Sequence, residues 1–244
     1  MFKRLFQKSD ATGKPPLHFL HIGKTGGTAI RHALKDDEAT GQFQLVMHSH
    51  PTTLSDIPRG EGVVFFLRDP VSRFVSGFWS RFRKGRPRYH VPWNKMEEQA
   101  FSRFQTPLEL AEALGSEASD ERTAAEAAMN GINHVRFRYS AWLGSVEQLE
   151  MRLEDVFFVG FQESLATDFR LLIPRLGVSD SLTLPGDGNA AHKTPAHLKQ
   201  ALSETAAANL RRWYSDDYEL LEYCKTVAAG INSEPGSDDG RANG

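Results

Sequence analysis

The sequence has very little cysteine, no long apolar run and almost no net charge. Cys224 is the single cysteine among 244 residues, which excludes an internal disulfide and is typical of a reducing compartment. No stretch reaches the roughly 20 apolar residues of a membrane-spanning helix, and residues 1–8 lack the apolar core of a signal peptide. A formal net charge of −2 gives no overall attraction to nucleic acid or to anionic lipid. We therefore expect a cytoplasmic protein without a transmembrane segment, in which any peripheral membrane contact depends on local charge.

The pattern of apolar runs predicts one α/β domain. Short apolar runs alternate with helical segments, as in a parallel sheet that is covered on both faces. We predict strands over 17–22, 43–47, 63–67 and 156–159, and helices over 28–36, 52–57, 70–85, 107–114, 119–129, 145–153, 165–176, 196–212 and 216–228. Residues 17–229 form the expected domain, preceded by a flexible lead-in over 1–16 and followed by a disordered tail over 230–244, which is rich in Gly, Ser, Asp and Asn.

The stretch around Lys24 carries the strongest chemical signal. The apolar run 17–22 passes through the sequence Gly-Lys-Thr-Gly-Gly-Thr, residues 23–28, into a helical segment. Glycines let a backbone approach an anion, and the first turn of a helix presents free N–H groups and a favourable dipole. The pattern only half matches the nucleotide-triphosphate signature, because His18 stands where that signature has its first glycine. A plain strand-to-helix connection is the alternative interpretation.

Polar groups also follow the second and third predicted strands. His48 and His50 follow the second strand, and Arg68 ends the third. In an open parallel sheet, ligands bind at the carboxyl ends of the strands, so these groups and Lys24 are expected to meet at one cleft. The two histidines alternate at strand period and are expected to face the same way. The pKa range of histidine suits a general base. Two alternatives are that the histidines have a structural role or that they bind zinc, although no third zinc ligand is evident in the sequence.

Arg68 and Ser76 form a second candidate anion site. They lie eight residues apart, so Ser76 falls about two turns into the helix that follows Arg68. A guanidinium fork and a hydroxyl are suitable partners for a phosphate dianion. The alternative is that Arg68 pairs with Asp69 and that Ser76 is a solvated helix position.

Residues 21–28 and 67–77 resemble two motifs of the sulfotransferases that use 3′-phosphoadenosine 5′-phosphosulfate (PAPS). The first resembles their 5′-phosphosulfate loop and the second their 3′-phosphate motif, and the likeness is closest to carbohydrate sulfotransferases of the heparan 2-O and chondroitin type. It implies a P-loop NTPase-like, three-layer α/β/α fold with a central parallel sheet. It also implies that PAPS is the co-substrate, that no metal is required, and that the acceptor is a hydroxyl group, with a carbohydrate or glycolipid as the expected bearer.

The resemblance also assigns roles to individual residues. Lys24 and His50 are the expected catalytic residues, with His48 as the second candidate for the base. The expected donor-binding residues are Gly23, Lys24, Thr25, Gly26, Gly27, Thr28, Arg68 and Ser76, together with Lys193 and Thr194 in a loop that folds over the nucleotide.

Two other functions remain open at the level of sequence. A nucleotide kinase or NTPase would use the Gly-Lys-Thr loop, although no metal-binding acid stands at a strand end. A non-catalytic nucleic-acid-binding module would use the basic and aromatic segment 81–95, although the near-neutral charge opposes a nucleic-acid partner. The same segment could bind the acceptor or could be a solvated basic turn.

Overall fold

Four apolar stretches form a parallel β-sheet at the centre of the fold. In this computed structural model, which describes residues 13–35, 41–186 and 201–233, the strands are β1 (Pro16–Phe19), β2 (Gln44–Met47), β3 (Gly62–Leu67) and β4 (Val156–Phe161). Their order is β2-β1-β3-β4, and all neighbouring strands pair in parallel. Every residue of β3 is buried, as expected of a strand covered on both faces. The four predicted strands are confirmed, although β1 ends at Phe19 and not at Ile22.

Helices connect and cover these strands. In the described part of the chain they are α1 (Gly27–Leu34), α2 (Pro70–Phe82), α3 (Lys95–Arg103), α4 (Pro107–Ala113), α5 (Ser119–Gly131), α6 (Ser140–Leu143), α7 (Val146–Glu150), α8 (Leu165–Leu176), α9 (Glu204–Trp213) and α10 (Ser215–Ser233). Short 3₁₀ turns occupy Leu54–Asp56, Leu153–Asp155 and Gln162–Ser164. Helices α3 and α6 were not predicted from the sequence. No helix of the described ranges is both long and apolar enough to cross a lipid bilayer.

The sheet separates two apolar layers, which makes the fold a three-layer α/β/α sandwich. On one face, side chains of the strands pack with α6, α7 and α10. On the other face they pack with α1 and α8. A further apolar cluster joins α2 to α3, α4, α5 and α9 beside the sheet. The predicted three-layer fold with a central parallel sheet is therefore confirmed.

Helix α2 begins directly after β3 because its first residues cap it. Asp69 accepts a hydrogen bond from the backbone N–H of Ser72 at 2.7 Å, and Pro70 occupies the first turn, where no N–H is needed. Phe74 and Phe78 on the inner face are buried in the helical cluster. The start of α2, and with it the direction in which the helix leaves the sheet, is therefore fixed at the carboxyl end of β3.

Helix α10 extends beyond the predicted end of the domain. The expected tail starts at Gly230, but the helix continues to Ser233. The side chain of Asn232 accepts from the backbone N–H of Val159 at 3.2 Å and donates to its carbonyl at 2.8 Å, so it satisfies both main-chain groups on the outer side of β4. The rest of the predicted tail, 234–244, and most of the lead-in, 1–12, lie outside the described residues.

The strand order fixes where a ligand can bind. From β1 the chain crosses to β2 on one side, and from β2 it returns to β3 on the other side of β1. A crevice opens where connections diverge in this way, at the carboxyl ends of the strands. In this fold that position lies between the segment after β1 and the segment after β3.

Candidate active site

The loop between β1 and α1 has the geometry of an anion cradle. Lys24 and Gly26 have left-handed backbone conformations, with φ of 70° and 98°. The Thr25 hydroxyl donates to the carbonyl of Ile22 at 2.9 Å, which closes the turn from inside. No side chain caps the N-terminus of α1 at Gly26, and in its first turn the Ala29 N–H donates to the Gly26 carbonyl at 2.9 Å, which leaves the N–H groups of Gly27 and Thr28 without an intrahelical acceptor. Such N–H groups and the helix dipole favour an anion at this end.

Two glycines of the loop are required by close packing. A Cβ atom on Gly26 would lie 2.9 Å from Cδ2 of Leu165, and one on Gly27 would lie 2.7 Å from Cδ2 of His21. Neither position can hold a larger residue without displacing its neighbour. The glycines therefore allow the loop to lie close to Leu165 at the start of α8 and to His21 in the segment before the loop.

Arg68 and Ser76 reach the same cleft from the next strand. Arg68 donates through Nε to Oγ of Ser72 at 2.8 Å and through Nη1 to the carbonyl of Lys24 at 3.4 Å. Ser76 is buried two turns into α2 and also lines the cleft. The sequence spacing left open whether α2 leans over this site, and in the structure it does.

The cleft has a volume of about 670 Å³, within the usual range for small-molecule sites. Its lining includes the predicted residues Lys24, Gly26, Gly27, Thr28, His50, Arg68 and Ser76. Gly23 and Thr25 belong to the loop but do not line this cleft. The Gly23 carbonyl accepts a hydrogen bond from Arg73 behind the loop, and the Thr25 side chain is turned into the protein. Lys193 and Thr194 lie outside the described residues.

The cleft is strongly cationic. Lys24, Arg31, Arg68 and Arg88 all line it, whereas the described lining contains no Asp or Glu. Burial lowers the pKa of Lys24 to about 7, and the charges of Arg68 and Arg83 contribute to that shift. Burial also lowers the pKa of Arg68. A bound anion would compensate these charges, so the cleft favours a ligand with several negative groups.

His50 is held in one tautomer. Its Nδ1 lies 3.0 Å from the carbonyl oxygen of His21. A carbonyl can only accept, so Nδ1 carries the proton and Nε2 of the neutral ring has a free lone pair. Desolvation in the cleft lowers the pKa of His50, and the charges of Lys24 and Arg31 lower it further. At neutral pH the imidazole is therefore uncharged and able to accept a proton.

His48 does not share this orientation. It is absent from the cleft lining, and its Nε2 lies 2.8 Å from Nδ1 of His18, with the two rings stacked at 5.0 Å. His18 in turn contacts Oε2 of Glu61 at 2.6 Å. The expectation that both imidazoles face the same way is wrong, because β2 ends at Met47 and strand alternation does not continue to His50.

Sequence reasoning missed several residues of the cleft. Besides Arg31, the structure adds His134, whose ring centroid lies 5.8 Å from that of His50 and whose backbone is left-handed at φ 68°. Segment 81–95 contributes Arg88 and Tyr89. The composition of that segment was a usable signal, but nothing in the sequence distinguished these two residues from their neighbours. The remaining additions to the lining are His21, Ala29, Ser49, Gln162 and Leu165.

Much of the basic segment has a structural role. The guanidinium of Arg81 is buried and forms two hydrogen bonds to the carboxylate of Glu97, at 2.6 and 2.7 Å. The ammonium group of Lys84 lies 4.3 Å from the ring centre of Trp93. In the described ranges, no group of three or more His, Cys, Asp or Glu side chains is arranged to hold a metal ion.

The fold and the cleft define an α/β protein that can hold a ligand with anionic groups at two separate points. Comparison with protein families identifies the class: the profile described as "Sulfotransferase family" matches residues 8–224, and the chain belongs to that family. Members of the family transfer sulfuryl groups and in general take them from PAPS. Searches of curated proteins and of solved structures gave no match.

We expect the substitution Gly26→Ala to impair binding of the product nucleotide 3′-phosphoadenosine 5′-phosphate (PAP). Gly60→Ala is the matched control, since Gly60 has a φ of 83° but has nothing within 4 Å of its Cβ position. The left-handed conformation should cost both variants about 1–2 kcal/mol of unfolding free energy. Calorimetric titration should show weakened PAP binding in Gly26→Ala alone. Equal affinities in the two variants would contradict the role of the loop.

The lowered pKa of Lys24 predicts proton uptake when PAP binds. At pH 8 the free side chain is mostly neutral, because burial lowers its pKa to about 7. A bound anion raises that pKa, so the complex holds more protons and affinity should fall by up to about tenfold per pH unit above 7. Phosphate groups, with a second pKa of about 6, do not titrate at pH 8–9.

Calorimetry in two buffers of different ionisation enthalpy measures this uptake. Lys24→Arg is the control, because arginine stays charged throughout this range. Proton uptake that persists in the Lys24→Arg variant would assign the effect to another group.

Proposed function

We propose that the protein transfers the sulfuryl group of PAPS to a hydroxyl group of a carbohydrate or glycolipid, with His50 as the general base. The observation that carries this proposal is the meeting of two anion-binding points, the loop at Lys24 and the Arg68/Ser76 pair, in one cleft that also contains His50. Neither point alone distinguishes PAPS from another phosphate ester. Together they suit a nucleotide that is charged at both its 5′ and 3′ positions.

The two ends of the donor have separate partners in this proposal. The N–H groups of the loop and the first turn of α1, with the Lys24 ammonium, bind the 5′-phosphosulfate. Arg68 and Ser76 bind the 3′-phosphate. The hydrogen bond from Arg68 to the Lys24 carbonyl supports this assignment, because it fixes the two sites relative to each other. Thr25 contributes its backbone N–H, since its hydroxyl is engaged by Ile22. Lys193 and Thr194 remain part of the proposal as a cover over the nucleotide.

The reaction follows as a single in-line displacement. Nε2 of His50 takes the proton of the acceptor hydroxyl, and the acceptor oxygen forms a bond to sulfur. The bond between sulfur and the bridging oxygen breaks, and its electron pair leaves with PAP. Lys24 and the loop N–H groups stabilise the charge that develops on the bridging oxygen. A sulfuryl group carries less charge than a phosphoryl group, so the proposed step involves no metal ion.

The part of the cleft near Arg88 and Tyr89 is the proposed acceptor side. Both residues line the cleft, and both come from the segment between α2 and α3. An aromatic face can pack against the apolar face of a sugar ring, while a guanidinium can bind its hydroxyl or acidic groups. Incubation of a panel of sugars and glycolipids with radiolabelled PAPS would identify the acceptor and test this part of the proposal.

Thermal unfolding with three ligands separates the proposed donor from the alternatives. We expect PAP to raise the melting temperature, because a ligand at 100 times its Kd stabilises the native state by about 2.7 kcal/mol. ATP with magnesium and a single-stranded oligonucleotide should produce no comparable shift. Stabilisation by ATP and magnesium alone would instead indicate a kinase, and stabilisation by the oligonucleotide alone a nucleic-acid-binding protein.

The substitution His50→Ala should strongly lower turnover while leaving PAP binding intact. Removal of a general base typically lowers kcat by a factor of about 10² to 10⁴. In the wild type at saturating PAPS, the acid-side loss of kcat should fall below about pH 6.5, because the pKa of His50 is lowered and the base must be neutral. His48→Ala is the comparison, since its ring faces His18. Retained turnover in His50→Ala with loss in His48→Ala would move the base to His48.

A further inference from the structure

Four buried side chains lie directly behind the cleft. We call Arg73, Tyr139, Trp142 and Asp217 the rear network. Their exposed fractions are 1%, 0%, 5% and 0%, and none of them lines the cleft. They come from α2, from α6 and the residue before it, and from α10. Each of the first three donates a hydrogen bond to a main-chain carbonyl on a segment that carries a functional group.

Arg73 holds the anion loop. Its Nε donates to the carbonyl of Gly23 at 3.1 Å, and its Nη2 donates to the carbonyl of Phe137 at 2.6 Å. Its Nη1 lies 3.4 Å from the carboxylate of Asp217. All three nitrogens of the guanidinium are therefore occupied. The residue after Gly23 is Lys24, so the position of this carbonyl affects the residue that faces the donor.

Tyr139 holds the end of β3. Its hydroxyl accepts from the backbone N–H of Arg68 at 3.0 Å and donates to the carbonyl of the same residue. Its own backbone N–H donates to Asp217 at 2.8 Å. Asp217 thus connects Tyr139 to Arg73, whose guanidinium carbon also lies 4.8 Å from the centre of the Tyr139 ring. The main chain that aims Arg68 is consequently fixed from behind.

Trp142 holds the segment that carries the base. Its indole N–H donates to the carbonyl of His50 at 2.7 Å. Its ring lies 5.4 Å from the guanidinium carbon of Arg73, so it packs against the same cation. The three contacts divide the cleft into its proposed parts: the 5′ loop, the 3′-phosphate arginine and the base.

A core of apolar residues would fill this space without burying an ion pair. Buried ion pairs stabilise a fold little, because desolvation offsets their attraction, whereas their directional hydrogen bonds can fix a geometry. Here the donors are directed to site-bearing main chain. We propose that Arg73, Tyr139 and Trp142 are positioning residues that separately set the 5′-phosphosulfate loop, Arg68 and His50, and that Asp217 couples the first two. This inference rests on the proposed function and deepens it.

Two nucleotides that differ in the 3′-phosphate test whether the three residues act on separate parts of the site. PAP carries that group and AMP lacks it, while both carry a 5′-phosphate. Arg73→Lys replaces the guanidinium with a single ammonium group, and it should lower the affinity for both nucleotides by about tenfold or more. Tyr139→Phe should lower the affinity for PAP by about three- to tenfold, which is the effect of one hydrogen bond, and should leave the affinity for AMP unchanged. Trp142→Phe should leave both affinities unchanged but lower kcat for sulfate transfer to the sugar and glycolipid panel.

Arg152→Lys is the matched control. Arg152 is also buried, pairs with Asp155, and donates to the carbonyls of Leu54, Ile57 and Pro58, and none of these residues lines the cleft. Its variant should lose stability and retain both affinities. Circular dichroism establishes that each variant is folded at the temperature of the titrations. If Arg73→Lys does not fold, the inference is tested by Tyr139→Phe alone, in which the ratio of PAP affinity to AMP affinity should fall.

Two outcomes would overturn the inference. One is that the rear-network variants lose stability but keep wild-type affinities and kcat, as the control should. The other is that Tyr139→Phe weakens PAP and AMP equally. A wild-type protein that binds neither nucleotide would instead refute the proposed function itself, so the two failures are distinguishable.

Discussion

The parallel pairing of β1 with β3 determines where the charged groups of this protein lie. His18 and Phe19 pair with Val63 and Val64, and so the two strands end at the same edge of the sheet. The loop after β1 and the residues after β3 are then neighbours, although they are more than 40 residues apart in sequence. The hydrogen bond from the Arg68 side chain to the Lys24 carbonyl is a direct result of that strand pairing. Two strand ends thus present cations side by side, which is the arrangement on which the proposed binding of a nucleotide charged at both ends depends.

Placing these cations together has an electrostatic cost, which explains the state of the site without its ligand. Burial lowers the pKa of both Lys24 and Arg68, and the charge of Arg68 lowers the pKa of Lys24 further. Under the proposed function, the bound donor would offset this cost. Burial keeps His50 neutral, and the charges of Lys24 and Arg31 lower its pKa further. The cations that would bind an anion therefore also help to keep the neighbouring imidazole uncharged.

The sequence predicted the features that depend on local patterns. Apolar runs located all four strands, and the glycines and Lys24 located the anion loop, because strand burial and loop chemistry are encoded within a few residues. The orientation of His48 was not predictable in this way, since it depends on His18 and Glu61, which lie on other segments. The contacts of Arg73 with Gly23 and Asp217 span 50 and 144 residues. Helix α3 was missed because its capping box, Asn94 and Glu97, begins inside segment 81–95, which was interpreted by its charge.

Because these contacts join segments that are far apart in sequence, the charged groups of the rear network can set the positions of those segments relative to one another. An apolar side chain at position 73 could fill the same volume, but it could not choose between nearby positions of the loop. A guanidinium with three fixed acceptors can, because a displaced carbonyl would leave a buried donor unpaired, at a cost of about 1–3 kcal/mol. Arg73 penalises displacement of Gly23 in this way, and Tyr139 does the same for Arg68. We infer that the geometry of the cleft is set by polar groups that do not themselves line it.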